Sequence, residues 1–343
     1  MFNPESYFHT DREQRIIKIK ELCGKAFQYI KENFNLDGRS EALLDEVFRN
    51  LEDKLKTGYS APVISLDFIL QPEVIQETAG ECYINPYTRK PDFRVIIESD
   101  ESPESIVEKI IHEVLHLLGT YVKEVKIIKP EDRSEELKDF EKLLEDLIGS
   151  SSISIEEEVI YDQGPLKELI GYVCRDLTSE MRYFLTLPSG RVELNIFYET
   201  AVDYFSKKII SEITKKGVDF RAGYITRIVL KICLFRLAYL MSIGDGTTHY
   251  SKIQELENDL RYGIITGHLD TLIGKINQIP AGYFLEELKK IIPRFEKWGY
   301  KSILEKVILN TQEENFENKE TFDILLEILK KFYEAFVESD KEN

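Results

Sequence analysis

The chain has 343 residues, enough for two packed parts on a prior of roughly 150 residues per domain. Hydrophobic residues make up 43% and charged residues 31%, with 18 Gly and 11 Pro, which excludes collagen-like, low-complexity and mostly disordered chains. The formal net charge of -17, from 62 acidic against 45 basic side chains, argues against nucleic acid or an anionic membrane as the main partner, because both would be repelled. A basic or neutral partner fits better.

In chain order, Thr10-Asp11-Arg12-Glu13 has capping-box spacing and predicts a first helix running to about Asn33. Leu43, Leu44, Val47, Phe48, Leu51 and Leu55 give a second helix, ended near Gly58. The period then becomes strand-like in three short segments, Pro62 to Leu70, Glu81 to Asn85 and Phe93 to Glu98, separated by turn residues. Ser102-Pro103 reads as an N-cap followed by proline at the first helical position, opening a helix to about Leu118 with Gly119 as its cap.

Glu131 to Ile148 is a highly charged helix with a thin apolar stripe, mostly a solvated face, followed by a linker-like break at Gly149 to Ser152. Beyond it helices are expected over about Leu166 to Phe184, Ile196 to Lys216, Tyr224 to Ile243 and His249 to Tyr262, with three more up to Phe336 and a frayed tail from Glu338 to Asn343. No internal repeat appears at solenoid spacing. The pattern is α+β followed by a mainly helical region, with expected domains 1–216 and 217–343.

The four cysteines, Cys23, Cys82, Cys174 and Cys233, form no CxxC pair and read as reduced core residues. Met1 to Gln14 has no apolar run of the export type, and the most apolar stretch, Tyr224 to Ile243, carries Arg227, Lys231 and Arg236, which suits a buried helix and not a membrane span. A cytoplasmic location is the expectation, with export by a signal-less route left open.

His112-Glu113-Val114-Leu115-His116 matches HExxH. At about 100° per residue, histidines four apart point nearly the same way on a helix, so both imidazoles can hold one zinc ion. Glu113 adjoins them and can act as general base toward a zinc-bound water. With five histidines in the chain, such a match arises by chance only about one time in a hundred. Taking His112 as zero, Ser105, His116, Lys109 and Glu113 fall at about 20°, 40°, 60° and 100°, and the apolar residues from Ile106 to Leu118 fall at about 120–300°. The histidines therefore face a cleft.

The order of two helices, three short strands and a helix bearing HEVLH resembles the minimal core of the zincin superfamily of metallopeptidases, over about residues 40–120. The resemblance implies zinc, peptide hydrolysis, and an edge strand, here Phe93 to Glu98, that receives an extended peptide or protein substrate. It also implies a third protein ligand. The metzincin position, six residues after His116, is Val122, which rejects that branch even though Gly119 agrees with it. The gluzincin branch takes a glutamate from a later helix with an aspartate four residues on as partner of a zinc-bound histidine. Glu199 and Asp203, in the helical stretch from Ile196 to Phe205, have that spacing; Glu158 and Asp162 share it in a stretch that alternates like a loop or strand and rank second.

An oxyanion donor is also needed, and His268 and His249 are the histidine candidates, each also readable as a plain structural or surface residue. His9 reads as surface, and Gly244-Asp245-Gly246 lacks the GK[ST] of a phosphate loop. The expected protein is a zinc-dependent peptidase of gluzincin type: His112, His116 and Glu199 on the metal, Glu113 and His268 catalytic, Asp203 orienting an imidazole. The rival is a non-enzymatic helical interaction protein on a zincin-like scaffold, whose acidic helix Glu131 to Ile148 meets a basic partner; a purely structural site has no use for Glu113 as a base.

Overall fold

Helix α1 (Pro4–Asn33) begins at a proline, whose fixed φ and missing N–H suit a first helical turn, so the Thr10-Asp11-Arg12-Glu13 box lies inside the helix and does not start it. The structure, a computed structural model, describes residues 4–57, 80–95, 101–149, 151–163, 170–178, 181–186, 191–215, 221–293, 305–307 and 318–341. The chain is α+β and divides into two compact units, residues 1–188 with 209–215, and residues 189–208 with 216–343.

In the first unit, α1 and α2 (Gly38–Thr57) bury Ile19, Leu22, Cys23, Phe27 and Ile30 with Leu44, Val47 and Leu51, and the Phe27 and Phe48 rings meet edge to face at 5.4 Å. Strands β1 (Gly80–Ile84) and β2 (Pro91–Val95) form an antiparallel hairpin. Its turn is set by Asn85, whose Oδ1 accepts from the Tyr87 and Thr88 backbone N–H groups at 3.0 and 3.1 Å, an Asx turn. The expected strand at 62–70 and the end of the expected strand at 93–98 lie outside the described residues. Helix α3 (Pro103–Leu118) packs on α1, α2, β1 and β2.

A four-stranded antiparallel meander follows: β3 (Tyr121–Ile127), β4 (Ser154–Gln163), β5 (Ile170–Arg175) and β6 (Met181–Thr186), in that spatial order. The helix expected over Leu166 to Phe184 is thus corrected to two paired strands, with Ile170 opposite Thr186 and Arg175 opposite Met181. Leu166, Ile170, Val173 and Leu177 do recur at helical spacing. Yet IGYVCR and MRYFLT are rich in β-branched and aromatic residues, and Asp176 makes the turn between them, its Oδ1 accepting from the Thr178 backbone N–H at 2.9 Å.

Between β3 and β4 runs the charged helix α4 (Glu135–Ile148), which starts four residues later than expected because Ser134 caps it, its Oγ accepting from the Leu137 N–H at 3.2 Å. Gly149, at φ 69°, closes it in the left-handed region that glycine adopts without strain. Its apolar stripe, Leu137 and Leu144, buries against Ile153, Ile155 and Cys174.

The second unit is helical. Helix α5 (Arg191–Thr214) contributes its 191–208 part, joined by α6 (Arg221–Asp245), α7 (His249–Thr266), α8 (Asp270–Ile276), α9 (Ala281–Ile291) and α10 (Thr321–Lys341). The tail expected to fray from Glu338 is helical to Lys341. Phe197 meets Phe322 edge to face at 5.1 Å inside a core that also holds Leu230, Leu260, Phe284 and Leu325. Cys23, Cys174 and Cys233 are free and buried, as the spacing predicted; the Cys82 side chain lies outside the described residues. No helix among the described residues is long and apolar enough to cross a membrane.

Candidate metal centre

Helix α3 is fixed at its start by the Ser102 Oγ, which accepts from the Ser105 N–H at 3.2 Å, and by Pro103 in the first turn. Its end is closed at Gly119, and the Thr120 hydroxyl donates to the His116 carbonyl at 2.8 Å. Ile106, Val107, Ile110, Ile111, Val114, Leu115, Leu117 and Leu118 are each at most 1% exposed. At about 1.5–3 kcal/mol per buried side chain, these residues set the rotation of the helix about its axis. The strip of Ser105, Lys109, His112, Glu113 and His116 is left on the other side.

Glu101 anchors that strip. Its carboxylate, 8% exposed, accepts from Lys109 Nζ at 2.9 Å and from the Ser105 hydroxyl, while its backbone carbonyl accepts from Arg15. Lys109 thereby reaches toward the start of the helix, the direction in which helical side chains lean.

The two imidazoles converge. His112 Nε2 and His116 Nε2 are 3.1 Å apart, with ring centroids 4.7 Å apart and planes at 69°. Metal–nitrogen bonds of about 2.0–2.1 Å drawn to nitrogens at that separation subtend about 95–102° at the metal, close to a tetrahedral angle. Without a metal the same separation suits one N–H···N hydrogen bond, with the proton on a single Nε2. With one, both rings would carry their proton on Nδ1.

Glu199, on α5, completes a group: one ligand atom from each of His112, His116 and Glu199 lies within 4.8 Å of the other two, and all three residues are half-buried. Two imidazole nitrogens and a carboxylate oxygen are a donor set suited to zinc and other borderline divalent ions. The residues therefore fit a metal ion.

Glu113 is 8% exposed on the same helix. Asp203, one turn beyond Glu199, pairs with Lys207 a further turn on, and both side chains are largely buried, at 14% and 4% exposure. The like-charge conflict between Glu199 and Asp203 is thus relieved by a cation within the helix.

The remaining sequence candidates lie elsewhere. Glu158 is a strand residue of β4 facing Lys126 across the β3–β4 pair, 4.0 Å from its Nζ, and is not in the group; the Asp162 side chain lies outside the described residues. Val122, at the metzincin position, is a 1% exposed residue of β3. His268 sits exposed between α7 and α8, stacked on Tyr262 with centroids 6.1 Å apart, and is not brought into the group. His249 Nε2 is 2.9 Å from the Phe235 carbonyl, a structural contact.

Sequence reasoning missed Glu101 and Glu257 as supports of the helices that carry the group. Only Glu101 had a readable signal, standing next to the Ser102 cap with Ser105 and Lys109 on one helical line after it. Compared with protein-family models, with curated proteins and with solved structures, the chain matches none.

Proposed function

We propose that the chain is a zinc-dependent peptidase of zincin type, with His112, His116 and Glu199 as the metal ligands. The observation that carries this reading is the convergence of two imidazoles and one carboxylate within 4.8 Å, the two imidazoles belonging to one HExxH helix. Zinc at such a site supplies a Lewis acid and brings the pKa of coordinated water near 7.

Glu113 is the general base. It lies one residue from His112 on the same strip and at 8% exposure is shielded from bulk water, so its carboxylate can take a proton and pass it to the departing amine. The three protein donors would hold the ion, and being half-buried they suit a site that admits substrate. An extended peptide would add along β2, which among the described residues pairs with β1 alone. Asp203, kept close to Lys207, is the candidate to orient an imidazole. Buried free thiols fit a reducing compartment and support a cytoplasmic location.

The test compares purified chain with Glu113→Gln. Stoichiometric zinc in both, with peptide hydrolysis lower by about 2–4 orders of magnitude in the variant, is the expected result. Absence of zinc together with no rise in Tm on adding it removes the metal reading. Zinc bound with equal turnover in both proteins removes Glu113 from the mechanism, and zinc bound with no turnover in either favours the non-enzymatic scaffold.

A further inference from the structure

Glu257 of α7 is a carboxylate at 6% exposure that holds two side chains of α5 at once. Its Oε1 accepts from the Tyr204 hydroxyl at 2.6 Å, and its Oε2 from Lys208 Nζ at 2.5 Å, with Arg261 flanking at 3.9 Å. Two turns further along α7, the Ile264 carbonyl accepts from the Tyr198 hydroxyl at 3.4 Å, so α5 and α7 run antiparallel and are tied at two levels. Burial, reinforced by the hydrogen bond to Glu257, pushes the Tyr204 phenol up, so it remains a donor.

At about 100° per residue, Tyr204 and Lys208 lie about 140° and 180° around α5 from Glu199. The tether therefore grips the back of the helix whose front carries the third ligand. A carboxylate oxygen of Glu199 stands about 6 Å from the helix axis, so a rotation of about 20° would displace it by about 2 Å. A metal bond tolerates about 0.2 Å. The apolar neighbours Phe197, Ala201 and Phe205 resist such rotation only by packing, whereas a carboxylate gripping two donors fixes both rotation and register.

We propose that Glu257 is a positioning residue for the third metal ligand, aiming Glu199 by holding Tyr204 and Lys208; this rests on the metal reading above. A buried acid whose only task was cohesion would matter to stability alone, and the two roles separate by measurement. Zinc affinity is read by chelator competition, and cobalt(II) absorption reports the ligand set, in the full chain and in Glu257→Gln, Tyr204→Phe and Glu199→Ala.

The expected result is zinc affinity lower by about 10-fold or more in Glu257→Gln, a smaller loss in Tyr204→Phe, and a cobalt spectrum shifted toward that of Glu199→Ala at temperatures where each metal-free variant is folded. A lower Tm in Glu257→Gln with unchanged zinc affinity and cobalt spectrum overturns the positioning role and leaves the metal reading intact. Failure of the unmodified chain to bind either ion overturns both. Tyr204→Phe, which removes one hydroxyl, keeps the test decisive if Glu257→Gln does not fold.

Discussion

The two faces of α3 should fail independently, and Leu115 tests this because it stands between the two histidines in HEVLH yet is 0% exposed on the core side. Leu115→Ala removes a fully buried side chain from the contact with α1, α2 and the β1–β2 hairpin. Such truncations cost about 2–5 kcal/mol, the spread reflecting how far the cavity closes. For a unit of this size, about 2–4 °C of Tm per kcal/mol translates that into a drop of roughly 4–20 °C. Seven other side chains at 1% exposure or less still hold the helix rotation, so zinc affinity below Tm should change only a few-fold. Glu199→Ala should do the reverse. It should move the metal-free Tm by about 2 °C or less, since Glu199 is half-buried, and lower zinc affinity by more than about 100-fold through loss of a direct ligand. Thermal melts in chelator give the first quantity and chelator competition the second. If Leu115→Ala abolishes zinc binding while folded, or leaves Tm unchanged, the separation of a packing face from a ligand face is refuted; Ile111→Val, expected to cost about 0.5–1.5 kcal/mol, repeats the test if Leu115→Ala is too unstable.

Two further outcomes are expected away from the metal group. Asp245 accepts from Lys252 Nζ at 2.7 Å, from the Thr247 hydroxyl, and from the Thr247 backbone N–H at 2.9 Å, which hold its carboxyl down at about 2. A depressed folded value means the contribution is present above the unfolded value of about 3.9 and is lost as pH falls through about 2; carboxyl NMR titration should show that low midpoint and its rise in Lys252→Gln, and an ordinary midpoint in the unmodified chain would remove the ion pair. At Gly263 an added Cβ would stand 2.2 Å from Leu269 Cδ2 and 3.1 Å from its Cγ, with Leu269 3% exposed. Gly263→Ala should therefore lower the urea midpoint, overpacking at about 1–3 kcal/mol outweighing about 1 kcal/mol of helix propensity; a raised midpoint would mean Leu269 swings aside freely.

Helix α3 was legible because its signals are local: a cap at Ser102, a proline at Pro103, and one apolar face from Ile106 to Leu118. Glu199 was legible for a related reason, its four-residue spacing from Asp203 inside a stretch with helical periodicity, Ile196 to Phe205. The meander was not legible. In β3 the register shifts between Tyr121 and Val122 and again between Val122 and Glu124, which breaks the period-two alternation that marks a strand. In β5 and β6 the helical recurrence from Leu166 to Leu177 competes with strand pairing, and only the partner strand decides between them. For His268 the sequence carries no positional information without the fold, in which it lies between α7 and α8 and stacks on Tyr262.

The meander separates the members of the His112, His116 and Glu199 group in time as well as along the chain. Glu199 follows His116 by 83 residues, the difference of their positions, so at about 5–20 residues per second the ribosome releases it roughly 4–17 s after the histidine pair. The intervening stretch brings its own apolar cluster, Leu137, Leu144, Ile153, Ile155 and Cys174, and can collapse locally during that interval. The nascent chain thus carries the imidazole pair for several seconds before Glu199 is made, and on the proposed reading that pair would offer an ion two donors only. On the proposed metal reading, three-donor capture of an ion would wait until α5 is made, and the chain up to β6 would offer the imidazole pair alone.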